Sequence, residues 1–283
     1  MFVLLNDEFV NRNECLIDIE DRANQFGDGV YEVIRVYDGE FFLLHDHLKR
    51  LIYSLEEAKI NYDIHHHNLA DQLQKLVEMN NFKDGGIYLQ ISRGASPRSH
   101  PFPKHTQPTL IAYPIPVTRP LESQEKGIEA ILHEDLRWLR CDIKSLNLLG
   151  NVMAKQSALD AGAKEAILYR DYNHVTEGSS TNVFIVKDGV VKTHPANHYI
   201  LNGITRLYLF YLAELLNIPI VEEVYSIEEL KNADEVFISS TTSEVISVIK
   251  IDDVQINNGK PGPIAQKFLQ AFFKHKNIKH LSK

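Results

Sequence analysis

The chain has 283 residues, 44% of them hydrophobic and 24% charged, with a formal net charge of −8. That length suits about two domains with their own cores, and the acidic balance argues against a nucleic-acid-binding or anionic-membrane surface. Two cysteines, Cys15 and Cys141, make no disulfide framework, and no Cys/His spacing suggests a metal. No run approaches the roughly 20 apolar residues of a membrane span. The opening MFVLLNDEFV lacks a basic region ahead of its apolar run, so no signal peptide is expected, and a reduced, cytoplasmic protein is the simplest expectation.

The first forty residues read as β structure. FVLLN and EFVN flank the turn pair Asn6-Asp7, and YEVIRVY and EFFLL flank Asp38-Gly39, a strong hairpin signal. Between them, Gly27 and Gly29 allow a sharp turn ahead of Tyr31 and Glu32. From His45, the spacing of Leu48, Leu51, Ile52 and Leu55 predicts a helix. It places Arg50 opposite that stripe, toward solvent. A second helix covers about 67–79, GIYLQISRG reads as a buried strand, RGASPRSHPFP as a proline-punctuated loop, and TLIAYPIP as a further strand. PIPVTRPLE holds three prolines without periodicity, and the domain boundary is set there, giving domains 1–117 and 118–283.

In the second half, GIEAILHE is a strand. Arg140-Cys141-Asp142-Ile143 reads as a strand end running into Lys144, and an apolar helical pattern resumes at Leu148. AILYR, VTEGSSTNVFIVK and VVKTH continue the β pattern, with Asp188-Gly189 at a turn. A helix opens at Thr205-Arg206 and ends at Asn217. A short one starts at Ser226, and EVFISSTTSEVISVIKI is β. A last helix near 261–275 spaces Ile264, Phe268 and Phe272 by four. Strands mixed with helices, several of them in hairpins, indicate an α/β or α+β chain without a single all-parallel sheet.

Four stretches carry chemistry. Lys144 in RCDIKSLNLLGN is the residue type that forms a Schiff base with an aldehyde. Glu177 lies in a Gly/Ser-rich bend, TEGSS. In NGITR, Gly203 permits close backbone approach and the amides of Ile204 and Thr205 open a helix, a natural anion site. In SSTTSE, Ser240 and Thr241 offer hydroxyls and amides. In RGASPRSH, Arg98 and His100 are two apart, on one side of an extended segment, and an arginine fork suits a carboxylate.

Together, in this order, these stretches resemble fold-type IV pyridoxal-phosphate transaminases, from the first hairpin to about residue 275, and RGxSPRxH resembles the D-amino-acid branch. The resemblance implies a smaller N-terminal α/β domain and a larger C-terminal domain with a barrel-like sheet. It implies pyridoxal 5'-phosphate bound to Lys144, with Glu177 at its pyridine nitrogen and Leu201 against its ring. Arg50, Ile204, Thr205, Ser240 and Thr241 are implied at its phosphate. Tyr31, Arg98 and His100 would bind the substrate carboxylate, the last two supplied across a homodimer interface. No metal is implied. The activity implied is ping-pong amino transfer from D-alanine and other D-amino acids to 2-oxo acids such as 2-oxoglutarate. A branched-chain L-transaminase or an aminodeoxychorismate lyase would keep Lys144 and Glu177, and a non-catalytic pyridoxal-phosphate protein would need neither Arg98 nor His100. Asn24 departs from the aromatic residue expected before QFGDG.

Overall fold

The computed structural model describes residues 1–281. The chain divides into two compact units. The first comprises Met1–Thr118, Ile143–Asn147 and the residues from Asn277; the second comprises Arg119–Asp142 and Leu148–Lys276. The residues around Lys144 therefore pack with the N-terminal unit.

The first unit contains β1 (Phe2–Leu5), β2 (Glu8–Asn11), α1 (Arg22–Phe26), β3 (Gly29–Tyr37), β4 (Glu40–Phe41), α2 (Leu44–Glu57), α3 (Leu69–Met79), β5 (Gly85–Ser92) and β6 (Thr109–Ile115). Its strands form one antiparallel sheet in the order β2-β1-β6-β5-β3-β4. Both turn pairs behave as their residue types require, because Asn6, Asp38 and Gly39 take positive φ. EFFLL pairs over only two residues, since the chain turns at Leu43 and enters α2. Strand alternation turns Val30, Ile34 and Val36 of β3 inward. They pack with Leu48, Leu51 and Leu55 of α2 and Leu69, Leu73 and Leu76 of α3.

The second unit contains α4 (Leu121–Lys126), β7 (Ile128–Glu134), α5 (Leu149–Asp160), β8 (Glu165–Asp171), β9 (His174–Gly178), β10 (Asn182–Lys187), β11 (Val190–Thr193), α6 (Ile204–Leu216), β12 (Ile220–Glu222), α7 (Ile227–Lys231), β13 (Glu235–Ser240), β14 (Glu244–Ile251), β15 (Val254–Gln255) and α8 (Pro263–Lys274). The sheet runs β12-β11-β10-β13-β14-β7-β8-β9, with β15 on β14. It is mixed: β7/β8, β7/β14 and β11/β12 are parallel and the other pairs antiparallel. β9 touches β10 although four strands separate them in this order, so the sheet curls toward itself.

The central strands are apolar on both faces, as buried strands must be. On one face Val183, Ile185, Val236, Ile238, Ile246 and Val248 form a cluster inside the curl. On the other, Phe184 stacks on Phe237 at 4.8 Å and Phe237 meets Phe268 of α8 at 5.8 Å.

One local expectation fails. Residues 140–143 are a turn rather than a strand end, because Arg140 and Asp142 pair with each other at 2.9 Å and the Cys141 amide donates to the His198 carbonyl at 2.9 Å. Among the described residues, no helix is long and apolar enough to cross a membrane.

Phe268 is fully buried. Phe268→Ala should lower unfolding free energy by about 3–5 kcal/mol, read as a lower denaturant midpoint with an unchanged slope. A loss below about 1 kcal/mol would contradict this packing.

Candidate active site

In the first unit, Lys144 is held by its backbone. Its N–H donates to Ser54 Oγ of α2 at 3.2 Å, and its carbonyl accepts from the Tyr31 amide of β3 at 2.9 Å. The Ser145 amide donates to the Ile143 carbonyl at 2.8 Å and closes a tight turn around Lys144. The Leu146 amide then donates to the Gly29 carbonyl at 3.0 Å. Position 29 must be glycine, since a Cβ there would lie 2.7 Å from Leu146 Cδ1 and 2.8 Å from the Ile91 carbonyl oxygen. The half-buried Lys144 side chain places Nζ 4.2 Å from the centre of the Tyr31 ring. Among the described residues, its ammonium makes no ion pair.

Beneath this lysine lies a charge cluster that strand periodicity alone disguises. Glu32 occupies an inward position of β3 and is fully buried. Arg50 of α2 grips it with two bonds, Nε to Oε1 at 2.7 Å and Nη2 to Oε2 at 2.8 Å, and His47 Nδ1 lies 2.8 Å from Oε2. Arg50 is therefore only 10% exposed, against the expectation that it faces solvent. Burial alone would raise the Glu32 carboxyl; the Arg50 charge outweighs it and holds the group well below the usual carboxylate range. Burial pushes His47 down against the pull of Glu32, and Arg50 is the larger of the two influences that hold Glu32 low.

The loop after β5 brings Arg98 and His100 to one ring. The Arg98 guanidinium carbon lies 4.8 Å from the centre of Phe26, and the His100 ring centre lies 5.4 Å from it. Both side chains are otherwise exposed. Asn24 points to solvent and donates to the Asp18 carbonyl at 3.3 Å, so its departure from the family pattern disturbs no packing.

In the second unit, Glu177 is the penultimate residue of β9 and is buried. Arg137 Nη1 donates to Oε1 at 2.7 Å, and Asn182 Nδ2 and the Leu201 amide donate to Oε2 at 3.1 Å each. Asn182 also donates to the Leu201 carbonyl at 2.9 Å. Arg137 is shared: Asp135 binds its Nε at 2.9 Å and its Nη2 at 2.8 Å. Burial pushes the Glu177 carboxyl up against the pull of Arg137, and Asp135 adds to the rise. Arg137 and Asn182 were not singled out in the sequence, where nothing marks partners lying 40 and 5 residues from the glutamate.

At the start of α6, Ile204 and Thr205 are buried. Gly203 supplies no side-chain cap, and the first turn contains no acid. A buried helix N-terminus with no cap is an anion site. A Cβ at Gly203 would lie 2.2 Å from Asn182 Oδ1, which accounts for the glycine. Ser240 ends β13, which packs on α6, and Ser240 and Thr241 are half-buried in the turn that follows. Ser240 Oγ accepts from the Ser243 amide at 3.0 Å. Burial pushes the Cys141 thiol up to about 11, so it is protonated at neutral pH.

These residues fit a pyridoxal phosphate. A lysine amine with no ion pair among the described residues can hold its aldehyde. A buried acid with incomplete charge compensation suits its ring nitrogen. An uncapped helix start suits its phosphate.

Residues 29–251 match the family model for amino-transferase class IV. A D-alanine aminotransferase from Bacillus licheniformis is 50% identical over 266 residues, covering 94% of each chain. Among solved structures, the branched-chain amino acid aminotransferase of Escherichia coli superposes with a TM-score of 0.90 at 28% identity, covering 100% of this chain and 96% of that one. The corresponding enzyme of T.th., complexed with N-(5'-phosphopyridoxyl)-L-glutamate, gives 0.86 at 26% identity, covering 99% and 95%. The fold is that of fold-type IV aminotransferases.

A group whose folded pKa is depressed contributes stability that is present above its unfolded value and lost as pH falls toward the folded one. For Glu32 the unfolded value is 4.5. Glu32→Gln should therefore be less stable than the parent at pH 7, and the gap should narrow as pH falls below about 4.5. Thermal melts from about pH 2.5 to about pH 7 check this. A gap that stays constant on acidification would contradict it.

Proposed function

Because the chain belongs to the class IV aminotransferases, we propose that it is a D-amino-acid transaminase using pyridoxal 5'-phosphate. It would move the amino group of D-alanine and other D-amino acids to 2-oxo acids such as 2-oxoglutarate, in two half-reactions. The observation that carries this reading is the loop after β5, which sets Arg98 and His100 on the single ring of Phe26. A cation fork beside a second donor suits a carboxylate.

When bound, pyridoxal phosphate supplies an electron sink for the substrate α-carbon. Lys144 Nζ would hold the cofactor, and its fixed backbone would let that nitrogen act as base and acid, moving a proton between the substrate α-carbon and the cofactor's C4′. Glu177, oriented by Arg137, Asn182 and the Leu201 amide, would keep a proton on the ring nitrogen. Leu201 would pack against the ring. The amides of Ile204 and Thr205, with Ser240, Thr241 and the charge of Arg50, would hold the phosphate. Tyr31, Arg98 and His100 would bind the substrate carboxylate.

We infer that the working form is a homodimer, with Arg98 and His100 supplied to the partner's substrate. Support comes from an exposed apolar surface on and beside α5, where Leu149 is 72%, Val152 59% and Met153 58% accessible, next to Leu136, Trp138 and Leu139. A patch of that character marks an interface.

The L-specific reading draws on the branched-chain structures, which share the fold, and Lys144 and Glu177 would serve either reaction. The two readings separate in a half-reaction. The visible band of the loaded enzyme should disappear on adding D-alanine and persist with L-alanine, L-valine or L-leucine. Discharge by the L-amino acids with none by D-alanine would overturn the reading.

A further inference from the structure

Arg98 and His100 are exposed, and exposed side chains on a proline-punctuated loop hold no fixed pose unaided. The backbone beneath them is gripped from below. Arg22 is 3% exposed and donates from Nη1 to the Ser99 carbonyl at 2.6 Å and from Nη2 to the His100 carbonyl at 3.3 Å. Its third bond, from Nε, goes to Asp28 Oδ2 at 2.7 Å.

Asp28 is shared with a second arginine. Arg93 donates to Oδ2 from Nε and to Oδ1 from Nη2, both at 2.9 Å. The same guanidinium reaches the carbonyls of Lys59 and Ala58, each at 2.7 Å, just past α2. One carboxylate thus orients two guanidinium forks. One fork ties the node to the helix that also holds Lys144, and the other ties it to the loop. Arg22 and Phe26 are four residues apart on α1 and face the same way. The Arg22 guanidinium carbon lies 4.6 Å from the centre of the Phe26 ring that Arg98 and His100 share.

We propose that Arg22 is a positioning residue for substrate selection: by fixing the carbonyls of Ser99 and His100, and with them the approach to Phe26, it sets the pose in which Arg98 and His100 meet the substrate carboxylate. The inference rests on the carboxylate-binding reading of those two residues. Arg22 touches no substrate and acts through them. A lysine could keep the charge on Asp28 but, with one compact nitrogen, could not span Asp28 and both carbonyls.

A double-mutant cycle on the pyridoxal-phosphate-loaded enzyme tests it, with kcat and KM for D-alanine measured separately. Arg22→Gln should lower kcat/KM roughly tenfold, mainly through KM. In a background of Arg98→Met with His100→Ala, which lacks the groups being positioned, the same change should cost less than about twofold. Arg22→Lys should show the same coupling, and decides the matter if Arg22→Gln fails to fold. A loss equal in the two backgrounds marks a merely structural arginine and overturns the proposal, as does no loss in the parent. If the Arg98→Met, His100→Ala enzyme itself handles D-alanine like the parent, the carboxylate reading is what has failed, and the positioning role falls with it.

Discussion

The peptide of Lys144 is bonded on both sides, its N–H to Ser54 and its carbonyl to the Tyr31 amide, and the first unit is arranged to keep it so. Ser54 belongs to α2 and Tyr31 to β3, so the lysine is fixed only while that helix and that strand keep their register. The Glu32–Arg50 pair joins the same two elements from within. Two charge-assisted bonds to a fully buried carboxylate lock helix to strand more specifically than apolar contact can, and removing Arg50 would strand a buried charge. The absent Cβ of Gly29 lets the Lys144 segment lie against the strand. The result is a lysine fixed at its backbone, as the proposed cofactor-holding nitrogen requires.

The two buried glutamates illustrate how charge compensation decides a role. Each has an arginine, yet Glu32 is held far below the ordinary carboxylate range while burial pushes Glu177 up. Glu32 receives both faces of Arg50. Glu177 receives a single nitrogen of Arg137, whose Nε and Nη2 serve Asp135, Nη2 reaching the Tyr199 carbonyl as well. The first acid is electrostatically complete and structural. The second is short of positive charge, and a protonated ring nitrogen would supply it.

Much of the fold was legible in the sequence because its signals are local. The Asp38-Gly39 hairpin signal marked β3 and the buried-strand run GIYLQISRG marked β5, and Asp38-Gly39 and Asp188-Gly189 adopt positive φ as their turns need. Asn217 ends α6 in the left-handed conformation. Local signals also misled. Residues 140–143 look like a strand end, but Arg140 and Asp142 satisfy each other across a turn. Arg50 lies off the apolar stripe of α2 and yet is largely covered, because a charged residue waits at an inward position of β3. Glu32 was the available clue, a carboxylate in step with Val30, Ile34 and Val36. The supports of the site were illegible for a different reason. Arg22 meets the loop 77 residues later and Arg137 meets Glu177 40 residues later, and no periodicity in one sequence reports such pairs.

The central claim is that Lys144, fixed at its backbone and without an ion pair among the described residues, is the residue that holds pyridoxal phosphate. Borohydride reduction of the loaded protein, followed by digestion and peptide mass mapping, tests it most directly. The account predicts a reduced phosphopyridoxyl group on Lys144 and on no other residue. A label on a different lysine, with Lys144 unmodified, would contradict it.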